Sequence, residues 1–126
     1  HDSGGHVYSW GAGEGGVLGH GGETDEHTPR RVVAAGAVQL LACGRGHTLA
    51  AHGEAGRLKT WGRGGSGQLG VGDGKDRLQP TLVDELAGVA AAQLAAAELV
   101  SACLATDGRI FSWGKLSALA LAPLLR

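Results

Sequence analysis

Tryptophan occurs three times in this chain of 126 residues, at Trp10, Trp61 and Trp113, and glycine follows each time, as Gly11, Gly62 and Gly114. The separations are 51 and 52 residues. A near-constant period of that length constrains the fold more than any composition does, because a repeated unit must bury its apolar face against the next copy of itself. Laying residues 10–33 on 61–84 pairs ten identical residues out of 24. Half are glycines, which come cheaply in a chain with 24 of them. The matches of Trp10 with Trp61, Leu18 with Leu69, Asp25 with Asp76, Pro29 with Pro80 and Val32 with Val83 do not.

Local patterning gives the repeat its elements. His6–Trp10, Arg57–Trp61 and Arg109–Trp113 are short alternating stretches flanked by glycine, such as Gly56 and Gly108, which is the pattern of a strand opened by a turn. Ala37–Cys43 with His47–Ala51, and Ala91–Ala96 with Val100–Ala105, read as two strand pairs. Alanine propensity favours a helix over Val89–Ala105, and the repeat favours strands. Glycine-rich loops follow the first two tryptophans, and in each a single leucine (Leu18, Leu69) plugs the loop onto the core. Pro29 and Pro80 cannot donate to a ladder, so they belong in connectors or where a strand begins. The indoles, large and apolar with one donor, suit a seam between units.

A net charge of −1 makes no general case for nucleic acid or an anionic membrane surface. The two cysteines, Cys43 and Cys103, form no disulfide framework and suit a reduced intracellular setting, cytoplasmic or nuclear. No apolar run is long enough to span a bilayer.

Several segments together resemble the regulator of chromosome condensation (RCC-type) repeat family. They are Val7-Tyr8-Ser9-Trp10-Gly11 with Gly16-Val17-Leu18-Gly19-His20-Gly21, and Leu41-Ala42-Cys43-Gly44-Arg45-Gly46-His47-Thr48-Leu49-Ala50. Gly67-Gln68-Leu69-Gly70, Gln79-Pro80-Thr81-Leu82-Val83 and Thr106-Asp107-Gly108-Arg109-Ile110-Phe111-Ser112-Trp113-Gly114 complete the set. The resemblance implies an all-β chain with about two and a half four-stranded antiparallel blades of a β-propeller, normally seven-bladed. It divides the chain into repeats over 1–114, with units around 1–61 and 62–113 and a third starting at 114. A divergent apolar tail at 115–126 lacks the glycine loop, and Leu116–Ala122 could form a helical turn or two. The missing blades imply the remainder of a longer propeller chain, and the uncovered ends imply association. His47 is, by the same resemblance, a structural histidine bonding to nearby backbone.

The chemical lures in the sequence are weaker than this scaffold. Gly11–Gly16 and Gly62–Gly67 match the dinucleotide fingerprint, yet later glycines break the helix that the fingerprint needs. Cys43, His47 and His52 fall short of four zinc ligands, so Cys43 reads as a small buried hydrophobe. Ser101, His47 and Asp107 could be assembled as a triad, but no nucleophile elbow accompanies them. No catalytic, cofactor or metal residue is therefore expected. The light-sensing branch of the family carries tryptophan in the segment that here is Gly44-Arg45-Gly46-His47-Thr48, so light sensing is disfavoured.

The expected function is a non-enzymatic protein–protein interaction scaffold with an unidentified protein partner. The alternative, implied by the resemblance, is a guanine-nucleotide-exchange module acting on a small GTPase of the Ran type, with chromatin association.

Overall fold

The computed structural model describes residues 4–53 and 55–115. The predicted tail, 116–126, lies outside the described residues. Among the described residues nine strands run in order: β1 (Tyr8–Gly11), β2 (Glu26–Arg31), β3 (Val38–Cys43), β4 (His47–His52), β5 (Arg57–Gly62), β6 (Arg77–Leu82), β7 (Ala91–Ala97), β8 (Val100–Ala105) and β9 (Ile110–Gly114). They form antiparallel meanders of two, four and three strands, ordered β1-β2, β3-β4-β5-β6 and β7-β8-β9. The first sheet therefore supplies the counterparts of β5 and β6, and the third those of β3, β4 and β5. Val89–Ala105 follows the repeat and not its propensity: β7 and β8 pair from Ala91 with Ala105 to Ala97 with Val100. Tertiary pairing outweighs the helix preference of single alanines.

Two seams hold the sheets face to face. The first gathers Val7, Val32 and Ala35 with Val38, Ala50 and Trp61. The second packs Leu49, Leu58, Val83 and Leu86 against Val89, Leu94, Ala96, Phe111 and Trp113. Equivalent positions show what a neighbour contributes. Trp61 is 2% exposed in the first seam and Trp10, with no sheet against its indole among the described residues, is 59% exposed. Leu58 is 3% exposed, whereas its counterpart Ile110 at the other end of the array is 76% exposed.

Two expectations are corrected. Pro29 and Pro80 lie inside strands β2 and β6, each paired on one side only. An outer strand needs a single ladder, so a missing N–H there is tolerated. Cys43 is exposed, because it ends β3 beside the turn; the buried thiol is Cys103, whose burial raises its pKa.

Candidate interaction face

The repeat signature builds the seams, and the seams fix a face made of turns. Each glycine loop returns to its own sheet through a hydroxyl: Ser9 Oγ donates to the Leu18 carbonyl at 2.6 Å, and Thr60 Oγ1 donates to the Leu69 carbonyl at 2.8 Å. Leu18 and Leu69 are buried as expected. The matched aspartates close the same loops, with Asp25 accepting from the Gly13 N–H and Asp76 from the Gly64 N–H. The loop of one sheet then supports the tryptophan of the next. A β-carbon on Gly19 would lie 2.7 Å from Trp61 Nε1, and one on Gly70 would lie 2.9 Å from Trp113 Nε1. Gly16 packs in the same way against Leu78 of β6.

At the second seam the structure brings together His47 and Ser101, two of the three residues weighed as a triad and set aside in the sequence. His47 Nε2 and Ser101 Oγ are 2.9 Å apart, both buried. Ser101 donates its only proton to the Gln68 carbonyl at 2.6 Å, and Trp113 Nε1 donates to that same carbonyl at 2.9 Å. His47 is therefore the Nε2–H tautomer and donates to Ser101. Its bond crosses to Ser101 of the neighbouring sheet, and the backbone at Val100 beside it also acts on the ring. The third member of the supposed triad is elsewhere: Asp107 is exposed and accepts from Arg109 N and Nε in the β8–β9 turn at Gly108. A serine with its proton committed to a carbonyl and no solvent access serves the seam. The His47 ring packs against Gly44, where a β-carbon would collide with it. Gln68 was missed by sequence reasoning; its only signal is its place between the matched residues Gly67 and Leu69.

Burial holds the His47 imidazole below the ordinary histidine value of 6.5. As pH falls, the unfolded chain takes up the proton first, so the stability that neutral His47 contributes is complete above about 6.5 and drains as pH drops below it. His52 is lowered as well, by burial and by Lys59 and Arg57, so the diagnostic is a difference between variants. Thermal melts from about pH 7.5 to about pH 5 should show a shallower loss for His47→Gln than for the parent chain. Equal slopes would place the proton uptake elsewhere.

Above this node the turns of adjacent sheets interlock. The Arg45 N–H in the β3–β4 turn donates to the Glu98 carbonyl in the β7–β8 turn of the next sheet at 3.1 Å, and within the middle sheet the Arg63 N–H donates to the Gly46 carbonyl at 2.8 Å. A shallow cleft results, lined by Arg45, Gly46, Arg63, Gln68 and Leu99. Arg45 is exposed and forms no ion pair among the described residues. Arg63 is held only loosely, 3.5 Å from Glu14 and 3.9 Å from Asp76. The fingerprint loop after Trp10 contains a three-residue 3-10 turn, Glu14–Gly16, too short to offer a phosphate the N-terminus of a helix. No group of three or more His, Cys, Asp or Glu residues is placed to hold a metal ion among the described residues.

Comparison with known proteins agrees with this geometry. The regulator of chromosome condensation (RCC1) repeat matches twice, over residues 4–51 and 55–104. The chain is 40% identical to the ultraviolet-B receptor UVR8 of Arabidopsis thaliana over 114 residues, covering 89% of this chain and 26% of that protein. It is 38% identical to the human E3 ubiquitin-protein ligase HERC2 over 114 residues, covering 87% of this chain and 2% of HERC2. Among solved structures, human WBSCR16 superposes with a TM-score of 0.77 at 30% identity, over 94% of this chain and 31% of that one. Prp20p of Saccharomyces cerevisiae, a protein described with its binding to Gsp1p and histones, gives 0.76 at 26% identity, over 90% and 29%. The chain thus spans less than a third of each of these proteins. With both repeats matched across the two seams that the structure displays, the chain belongs to the RCC1-repeat family of β-propeller proteins.

Proposed function

We propose that this chain is a non-enzymatic interaction module whose binding surface is the face formed by the β3–β4 turn, the start of the loop after β5 and the β7–β8 turn. The observation that carries this reading is the bond from Arg45 to Glu98, which ties turns of two sheets into one rigid surface. Loops held by a rigid scaffold are where propellers and other repeat folds place recognition. Exposed Arg45 and loosely paired Arg63 place two cations on the face, beside the exposed Glu98 of the β7–β8 turn, and these cations suit an acidic patch on a partner.

The test is quantitative affinity capture with the parent chain and with Arg45→Glu/Arg63→Glu, after equal melting curves establish that both are folded. A bound protein should be retained at least about fivefold less by the double variant. Identical retention would remove the face from consideration.

A second reading is favoured by the likeness to Prp20p, a protein described by its binding to Gsp1p and histones. On that reading the same face promotes nucleotide release from a small GTPase of the Ran type. A purified GTPase loaded with fluorescent nucleotide separates the two: binding without faster release supports the scaffold, and accelerated release supports exchange.

A further inference from the structure

The floor of the cleft on the turn face is a single buried amide. Gln68 lines the cleft and is 2% exposed. Its backbone carbonyl is turned into the seam, where it accepts from Ser101 Oγ and Trp113 Nε1, so the side chain is the part that meets the cleft. The orientation of that amide is fixed by chemistry. The Ser66 N–H donates to Gln68 Oε1 at 2.8 Å, and a backbone donor demands the oxygen at that point and not the nitrogen. Nε2, with two N–H groups, is left without an acceptor among the described residues. A buried donor in that condition calls for a partner.

The first repeat shows which half of the amide the scaffold uses. Gly15 is the counterpart of Ser66, and its N–H is satisfied by Glu23 Oε1 at 2.8 Å. Val17 stands there in place of Gln68. The loop after β1 nevertheless closes through the same serine or threonine and aspartate bonds as the loop after β5. Accepting from the Ser66 N–H is therefore a scaffold duty that another side chain can perform. Donating from Nε2 has no counterpart in the first repeat.

The walls of the cleft restrict what Nε2 can meet. Arg63 packs its stem over Gly46, and its guanidinium lies against Gly15, near Glu14 and Asp76. It closes one side and offsets those two acids. Arg45 is exposed and is the cation left for a ligand. Its backbone is held by the Glu98 carbonyl, and Glu98 is the one residue other than glycine with positive φ, +47°, among the described residues. A backbone in that region persists only where its surroundings impose it. Half-buried Leu99 gives the remaining wall an apolar patch.

We propose that this cleft is a carboxylate subsite that seats one glutamate side chain of a partner protein. The carboxylate accepts from Gln68 Nε2 and Arg45, and its methylenes lie on Leu99. Two planar donor groups suit the two coplanar oxygens of a carboxylate. Glu98, Glu14 and Asp76 stand around the cleft, and they repel a phosphate dianion about twice as strongly as a single negative charge. The partner half of this assignment rests on the reading of the turn face as a binding surface.

The probes are N-acetylglutamate α-amide and its neutral isostere, N-acetylglutamine α-amide, titrated at constant ionic strength into the isotopically labelled full chain. The Gln68 side-chain amide signals should move saturably with the acid, and at least about fivefold less with the isostere. Arg45→Gln, at an exposed position, should weaken the acid at least about fivefold. Gln68→Glu keeps an acceptor for the Ser66 N–H and replaces the donor by a second acceptor, so it should abolish the response. The proposal is overturned by an absence of saturable movement, by an equal response to both probes, or by indifference to Arg45→Gln. A tighter response to inorganic phosphate than to the acid also overturns it. The wider reading is judged separately, by affinity capture. A silent probe with capture lost in Arg45→Glu/Arg63→Glu removes the subsite and keeps the face. A responsive probe with undiminished capture keeps the subsite and removes the face.

Discussion

Trp61→Ala is expected to cost about 3–5 kcal/mol, while the same change at Trp10 should stay within about 0.5 kcal/mol. The two residues occupy one position of the repeat, so propensity and strand context are nearly matched. They differ in their neighbours. Trp61 is 2% exposed beneath the Gly19 loop, and Trp10 is 59% exposed. The loss at Trp61 combines the transfer of a large apolar surface with a cavity that Val38, Ala50 and Val32 are too small to collapse into. Denaturant titration followed by circular dichroism would read both values. Should Trp61→Ala fail to fold, Trp61→Phe is the usable variant, because it keeps a ring in the seam and should show a smaller loss in the same direction. Equal losses at positions 10 and 61 would mean that burial between sheets is not what the indole contributes.

The contrast between those tryptophans also shows what the sequence could reveal. The period, the strand pairs and the seam role of the indole were legible because side chains at matched positions repeat. The alanine-rich β7 was legible for the same reason, against its helix propensity. Burial was not legible where it depends on place within the array: Ile110 repeats Leu58 and Val7 in kind, yet only Ile110 is exposed. Cys43 was misplaced because its strand position puts it at an edge, which composition does not encode. The His47–Ser101 contact was half legible. In the sequence the two residues came together only as members of a triad that the missing nucleophile elbow ruled out, whereas the fold uses them for a bond between sheets. What identifies the bond as structural is the carbonyl of Gln68, and backbone acceptors leave no mark on a sequence. The turn face was least legible, since Arg45 and Glu98 meet through main-chain atoms.

Gly19→Ala is expected to destabilise the chain by about 2–5 kcal/mol and Gly53→Ala by about 1–2 kcal/mol. Both glycines have positive φ, +77° and +72°, so both substitutions carry the strain of a left-handed backbone with a side chain. At Gly53 the new methyl group meets nothing within 4 Å, whereas at Gly19 it would sit 2.7 Å from Trp61 Nε1. The difference between the variants therefore isolates the cost of pushing the indole out of the seam, which overpacking in a close-packed interior sets at about 1–3 kcal/mol. Denaturation midpoints at unchanged slope give both numbers. A cycle with Trp61→Phe adds a sharper test, because a smaller ring should relieve the Gly19→Ala penalty and leave a coupling of at least about 0.5 kcal/mol. Equal losses at Gly19 and Gly53, with no coupling, would show that the indole shifts freely. The glycine following Leu18 would then be required by its backbone angle alone, and the match between Gly19 and Gly70 would reflect turn geometry and not the packing of one sheet on the next.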